Sequence, residues 1–88
     1  DYLVYDGDLK VYPNPNQGTF NLQMSNAKLG EVNVKVYNTL GSEIKNFNFN
    51  KTDQTLQTEL SIGNVPKGLY FLHIKTKEGE AQKKIMIE

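Results

Sequence analysis

Apolar side chains recur at every second position along most of this chain, and this period limits what the chain can fold into. Phe20, Leu22 and Met24 alternate with the polar residues Asn21 and Gln23. Alternation of this kind places one set of side chains on the core face of a β-strand and the other set in water. The same period is found at Val32, Val34 and Val36, at Leu56, Thr58, Leu60 and Ile62, and at Tyr70, Leu72 and Ile74. No segment has the apolar spacing of an amphipathic helix, so the sequence predicts an all-β fold.

Turn-forming residues divide the alternating segments at short intervals. Residues 13–18 read Pro-Asn-Pro-Asn-Gln-Gly, where the prolines lack the N–H that a sheet ladder needs and Gly18 permits a positive φ. Further connections are predicted at 38–41, 51–55, 63–68 and 77–80. The predicted strands are about 9–12, 19–24, 31–37, 42–49, 56–62, 69–76 and 81–88. Seven short strands with this turn spacing are typical of an antiparallel, Ig-like β-sandwich.

The alternation also predicts which side chains form the core. The residues expected inside are Val34, Val36, Leu60, Tyr70, Leu72 and Ile74. Phe47 and Phe49 alternate with asparagines and could form a stacking strip for a sugar. Core packing is the favoured interpretation of this pair, because the same alternation directs both rings into the sandwich.

The chain of 88 residues has room for a single domain, which we assign to residues 9–88. Residues 1–8 are acidic and are interpreted as a linker from an upstream domain. The alternative is that Tyr2, Val4 and Tyr5 pair as an extra edge strand. Asp1 rather than Met opens the sequence, so we expect a piece of a longer protein.

Composition excludes several classes of function. Ten Lys balance ten acidic residues, which disfavours nucleic-acid binding because phosphate contacts need a basic excess. The sequence has no Cys, so it can form neither disulfides nor thiolate metal sites. No apolar segment approaches the roughly 20 residues that cross a bilayer, so direct membrane insertion is not expected. No cofactor is predicted.

Catalytic chemistry has little material in this sequence. His73 is the only histidine, and alternation directs it away from the core face that holds Leu72 and Ile74. No serine lies in a Gly-x-Ser-x-Gly motif, and no glycine-rich nucleotide motif is present. We therefore expect that the protein is not an enzyme.

Four segments, taken in order, carry a resemblance to a known family. They read Val-Tyr-Pro-Asn-Pro at 11–15, Val-Lys-Val-Tyr-Asn at 34–38, Val-Pro-Lys-Gly-Leu-Tyr at 65–70 and Lys-Ile-Met-Ile-Glu at 84–88. Gly18 and Phe20 follow the first segment, and Gly41 follows the second. In this order the segments resemble the motifs of the type A C-terminal sorting domains of the type IX (Por) secretion system.

We call residues 13–18 the opening motif and residues 84–88 the closing segment. The resemblance implies that one set of residues maintains the fold: Pro13, Asn14, Pro15, Gly18, Gly41, Pro66, Gly68 and Tyr70. It implies that a second set is recognised by the translocon: Lys84, Ile85, Met86, Ile87 and Glu88. A last strand is also a natural element for a receptor to bind by strand addition.

The resemblance further implies a domain at the C-terminus of cargo proteins. Cargo reaches the periplasm by a separate N-terminal signal, and this domain then directs it through the outer membrane to the cell surface or the medium. The partners are the type IX translocon, outer-membrane shuttle and sortase proteins, and the upstream cargo domain. A surface protease commonly removes the domain.

The alternative function comes from another class, an Ig- or fibronectin-like adhesion or carbohydrate-binding module. Fold alone does not separate the two, because such sandwiches serve many functions. Position separates them, since a sorting domain ends its protein and an adhesion module need not.

Overall fold

The computed structural model describes residues 8–25, 29–77 and 79–88, and within these ranges all regular structure is β-strand. The strands are β1 Asp8–Tyr12, β2 Thr19–Ser25, β3 Gly30–Tyr37, β4 Glu43–Lys51, β5 Thr55–Ser61, β6 Gly68–Thr76 and β7 Gly79–Ile87. The all-β, seven-stranded prediction is confirmed. The proposed linker and the possible extra strand at Tyr2, Val4 and Tyr5 lie outside the described residues, except that β1 begins at Asp8. Within the described ranges, no helix is long and apolar enough to cross a membrane.

The strands form two antiparallel sheets. One has the order β1-β2-β5 and the other the order β4-β3-β6-β7. In the first sheet Phe20 is opposite Leu60, and in the second Val34 is opposite Ile74. Apolar residues of each strand thus face apolar residues of its neighbour on the same side of the sheet.

The core lies between the two sheets and consists of the residues that the alternation selects. All six predicted core residues are buried, so that prediction is confirmed. The complete cluster comprises Phe20, Leu22, Met24, Val32, Val34, Val36, Leu60, Ile62, Tyr70, Leu72, Ile74, Ile85 and Ile87. Phe47 and Phe49 pack against this cluster and are partly buried, with ring centroids 6.3 Å apart. Core packing is therefore the role of these rings, as predicted.

One lysine departs from the predicted pattern. Residues 51–55 were expected to form a polar loop, but Lys51 is the last residue of β4 and is only 4% exposed. Its Nζ donates a hydrogen bond of 2.8 Å to the carbonyl oxygen of Asp53. The charged group therefore turns back onto the following backbone, which lets this lysine be buried at the end of the edge strand β4.

The up-and-down path of the strands gathers several connections at one end of the sandwich. Residues 13–18, 38–42 and 62–67 lie there together with Glu88, and we call this the motif end. Ile62 N donates to Gly18 O at 2.9 Å, and a depression lined by Asn38 and Pro66 joins the other two connections. Asp8, where β1 begins, is paired with Ser25 at the opposite end.

Truncation of the core should destabilise the domain strongly. Leu72 is 0% exposed, and Leu72→Ala should lower the free energy of unfolding by about 2–5 kcal/mol, because it leaves a cavity. Leu40 is 88% exposed, and Leu40→Ala should change the free energy of unfolding by no more than about 0.5 kcal/mol. Thermal unfolding of both variants measures the difference. Equal midpoints would show that the core face is wrongly assigned.

Candidate functional site

The opening motif lies along the outer edge of β7. β7 is the last of the described strands in its sheet, and of these strands only β6 pairs with it along its full length. In an antiparallel pair, alternate residues direct both backbone groups toward the neighbour or away from it. Lys84, Met86 and Glu88 direct theirs away from β6, and on such an edge these groups need other partners.

The side chain of Asn14 supplies the first of these partners. Its Nδ2 donates to the carbonyl oxygen of Lys84 at 3.1 Å, and its Oδ1 accepts a hydrogen bond from Met86 N at 2.9 Å. The amide group thus offers one donor and one acceptor, as a backbone residue of an added strand would. Both hydrogen bonds go to backbone atoms of β7.

The backbone of Asn16 continues this pairing. Its N–H donates to Met86 O at 3.0 Å, and its carbonyl oxygen accepts from Glu88 N at 2.8 Å. The two segments run in parallel, with Asn16 bridged to Ile87. The four hydrogen bonds from Asn14 and Asn16 therefore extend the four-stranded sheet by a short segment that comes from the connection between β1 and β2.

The side chain of Asn16 fixes the shape of the opening motif. Asn16 is only 7% exposed. Its Nδ2 donates to Pro13 O at 3.0 Å, and its Oδ1 accepts from Gly18 N at 2.8 Å. The side-chain Nδ2 and Oδ1 and the backbone N–H and carbonyl of Asn16 are therefore all hydrogen-bonded, as expected for a buried polar residue. The resemblance did not single out Asn16; its one sequence signal was the Asn-x-Gly spacing of an Asx turn.

Gly18 stands where the opening motif passes closest to the connection between β5 and β6. Its φ is +110°, a value that side chains of L-residues rarely permit, and a Cβ there would lie 2.9 Å from Gly63 O. Glycine at this position satisfies both the backbone conformation and the close approach.

The remaining fold-maintaining residues lie at the same end. Gly41, with φ +84°, donates from its N–H to Asn38 O at 3.1 Å. The hydroxyl of buried Tyr70 donates to Pro66 O at 2.5 Å, which ties the start of β6 to the preceding connection. This bond has the form of a tyrosine corner, in which a tyrosine hydroxyl bonds a backbone carbonyl a few residues upstream. Pro13, Asn14, Pro15, Gly18, Gly41, Pro66, Gly68 and Tyr70 thus all belong to connections or strand ends at the motif end.

The closing segment divides its side chains between the core and water. Ile85 and Ile87 are buried, whereas Lys84, Met86 and Glu88 are exposed, Met86 by 40%. Lys84 and Met86 lie on the outer face of the four-stranded sheet, opposite Phe71 and Leu69 of β6. Of the five residues predicted for recognition, only the three exposed ones present side chains to a partner.

His73 lies on the outer face of β6. Its Nε2 is 2.5 Å from Oε1 of Glu80 on β7, and both side chains are about one quarter exposed, at 26% and 27%. Within the described ranges, no cluster of three or more His, Asp and Glu side chains could hold a metal ion. The pair is a contact between neighbouring strands.

Comparison with known proteins supports both the fold and the family. The crystal structure of a β-glucosidase from Listeria innocua in complex with glucose contains a similar fold, with a TM-score of 0.52 and 11% sequence identity. The likeness covers 93% of this chain and 16% of that one, and at this identity it concerns the fold alone. No curated protein matches the chain significantly.

The family model described as "Secretion system C-terminal sorting domain" matches residues 10–88, which include the opening motif and the closing segment. The residues that this match covers are those that form the two sheets and the motif end. The chain therefore belongs to the C-terminal sorting domains of the type IX secretion system, and it serves as a sorting signal for export across the outer membrane.

Proposed function

We propose that the secretion machinery recognises this domain through the exposed side chains of the closing segment while the segment is folded into β7. Lys84 and Met86 make the principal contacts. Ile85 and Ile87 contribute by packing into the core, so their effect on recognition is indirect.

The observation that carries this proposal is the set of four hydrogen bonds between the opening motif and the closing segment. They fix the backbone of residues 84–88 on the side that β6 does not cover. Lys84 and Met86, two residues apart on a strand, therefore project from the same face at a fixed spacing. A surface held in its bound conformation loses less conformational entropy when a partner binds.

The position of the motif end also supports the proposal. A cargo domain joined upstream of Asp8 would leave the sandwich at the opposite end, and the longest dimension of the domain is 35 Å. Cargo attached there would join the sandwich at the end away from Met86 and Glu88. This arrangement suits a signal that must serve a cargo domain of unrelated shape.

The finer steps follow from the family resemblance and form part of the proposal. The domain passes through the periplasm, binds outer-membrane shuttle and translocon proteins, and is removed by a surface protease of the sortase type. The domain itself catalyses no reaction in this scheme. His73 then serves only to connect β6 with β7, and His73→Ala should leave export intact.

Export should depend on the exposed lysine of the closing segment. In a reporter fused upstream of the domain and expressed in a host with a type IX system, Lys84→Ala should reduce surface delivery and leave more reporter in the periplasm. Lys45 is an exposed lysine of β4, and Lys45→Ala is the matched control that should deliver normally. Both variants should remain within about 0.5 kcal/mol of the parent in stability.

A double variant provides the stricter form of this export test. Lys84→Ala with Met86→Ser removes both proposed contacts, and both residues are exposed, so the fold should be retained. Normal delivery of this folded double variant would contradict recognition through the closing segment. Deletion of residues 84–88 is less informative, because it removes Ile85 and Ile87 from the core.

Stability should depend on the buried asparagine of the opening motif. Asn16→Ala leaves Gly18 N and Pro13 O without their partner, and a buried group left unpaired costs about 1–3 kcal/mol. Asn50 is exposed, so Asn50→Ala should stay within about 0.5 kcal/mol of the parent. Chemical denaturation of the two purified variants makes the comparison. Equal midpoints would show that the side chain of Asn16 does not maintain the opening motif.

A further inference from the structure

Only part of the outer edge of β7 is covered by the opening motif. The antiparallel register between β6 and β7 is continuous from Gly79 to Ile87. Every second residue counted from Met86 therefore directs its backbone N–H and carbonyl away from β6, as Met86 does. The outward groups of Glu80 and Gln82, and the N–H of Lys84, have no backbone partner among the described residues. We call residues 80–84 the open edge.

Two lysines flank this open edge, one on each face of the sheet. Lys84 projects from the outer face. Lys83 has the parity of Ile85 and Ile87 and so stands on the core side, yet its side chain is exposed. Within the described ranges neither lysine forms a salt bridge, whereas the nearby Glu80 contacts His73. The open edge therefore carries unpaired positive charge on both faces.

We propose that the open edge binds an extended, acidic segment of a protein of the secretion machinery, which adds to the sheet as a strand next to β7. This inference rests on the proposed function and names the chemistry of the partner at the same strand. Backbone hydrogen bonds to Glu80, Gln82 and Lys84 N would provide affinity. Carboxylates on alternate sides of the added strand would meet Lys83 and Lys84, which gives selectivity through charge complementarity.

The opening motif would set the register of the added strand. The carbonyl of Lys84 and both groups of Met86 are already bonded to Asn14 and Asn16. An added strand therefore has to end beside Lys84, and it cannot slide along β7 toward Glu88. Strand addition onto the closing segment itself, which the sequence had suggested, would require displacement of the opening motif.

A proline at the centre of the open edge separates edge pairing from other forms of recognition. Gln82→Pro removes an outward N–H without removing a bond to β6, whereas Gln82→Ala keeps that N–H. Glu59→Pro is the matched control on the free edge of β5. The hydrogen bond from Ile62 N to Gly18 O shows that Ile62, and every second residue before it, directs its backbone groups toward β2. Glu59 lies between two such residues, so its N–H points away from β2.

The first measurement is binding of a synthetic peptide with an adjacent Glu-Glu pair flanked by Thr residues, which places one carboxylate on each face of the added strand, followed by amide chemical shifts. We expect shifts at Glu80, Gln82 and Lys84 in the parent, in Gln82→Ala and in Glu59→Pro, and none in Gln82→Pro. The same peptide with Gln-Gln in place of Glu-Glu should bind about twofold to thirtyfold more weakly, since it loses two exposed ion pairs. Lys83→Glu, at an exposed position, should weaken binding of the acidic peptide only. It tests the same proposal if the proline variant fails to fold.

The second measurement is export of the reporter by the same variants. Gln82→Pro should retain the reporter in the periplasm, while Gln82→Ala and Glu59→Pro deliver it. Normal delivery by folded Gln82→Pro, peptide binding without shifts along β7, or a dimer of the domain paired through β7 would each overturn the inference. Failure of the parent domain to deliver the reporter would contradict the proposed function instead. The peptide measurement would still show whether the open edge binds an acidic strand.

Discussion

The outward backbone groups of the last strand are the constraint on which the motif end depends. An edge strand exposes a row of donors and acceptors that can pair with any extended chain. In this domain Asn14 and Asn16 bond four such groups on Lys84, Met86 and Glu88, about 70 residues further along the chain. The opening motif leaves the three-stranded sheet and pairs with the four-stranded one, so it also connects the two layers of a small sandwich. The buried side chain of Asn16 and the close approach at Gly18 both serve to hold this crossing in place.

This arrangement gives a physical meaning to the two motifs that frame the domain. The hydrogen bonds of the opening motif go to backbone atoms of β7, so they do not require particular side chains in the closing segment. The closing segment alternates between anchoring residues, Ile85 and Ile87, and exposed residues, Lys84 and Met86. Its side chains can thus change on the exposed face while the strand stays in place. A sorting signal built in this way separates the residues that keep it folded from those that its surface exposes.

The strands and the core could be predicted from the sequence because a period of two reports directly which face of a strand is buried. Val32, Val34 and Val36 show this plainly. Contacts made by side-chain amides with distant backbone atoms leave no such signal, which is why the pairing of Asn14 with β7 was not predicted.

At two lysines, Lys51 and Lys83, the sequence pattern does give a signal, but burial in the structure differs from it. Lys51 is polar yet buried, because its charged end bonds the carbonyl oxygen of Asp53, and Lys83 lies on the core side of β7 yet is exposed.

Amide hydrogen exchange on the isolated domain tests most directly whether the opening motif holds the closing segment. Met86 and Gln82 both direct their N–H away from β6 on the same strand, but among the described residues only the N–H of Met86 has a partner, the Oδ1 of Asn14. We predict that the amides of Met86 and Glu88 are strongly protected from exchange, while the amide of Gln82 exchanges fast, as expected for an open edge. Equal and fast exchange at Gln82, Met86 and Glu88 would contradict it, because the closing segment would then be an unsupported edge.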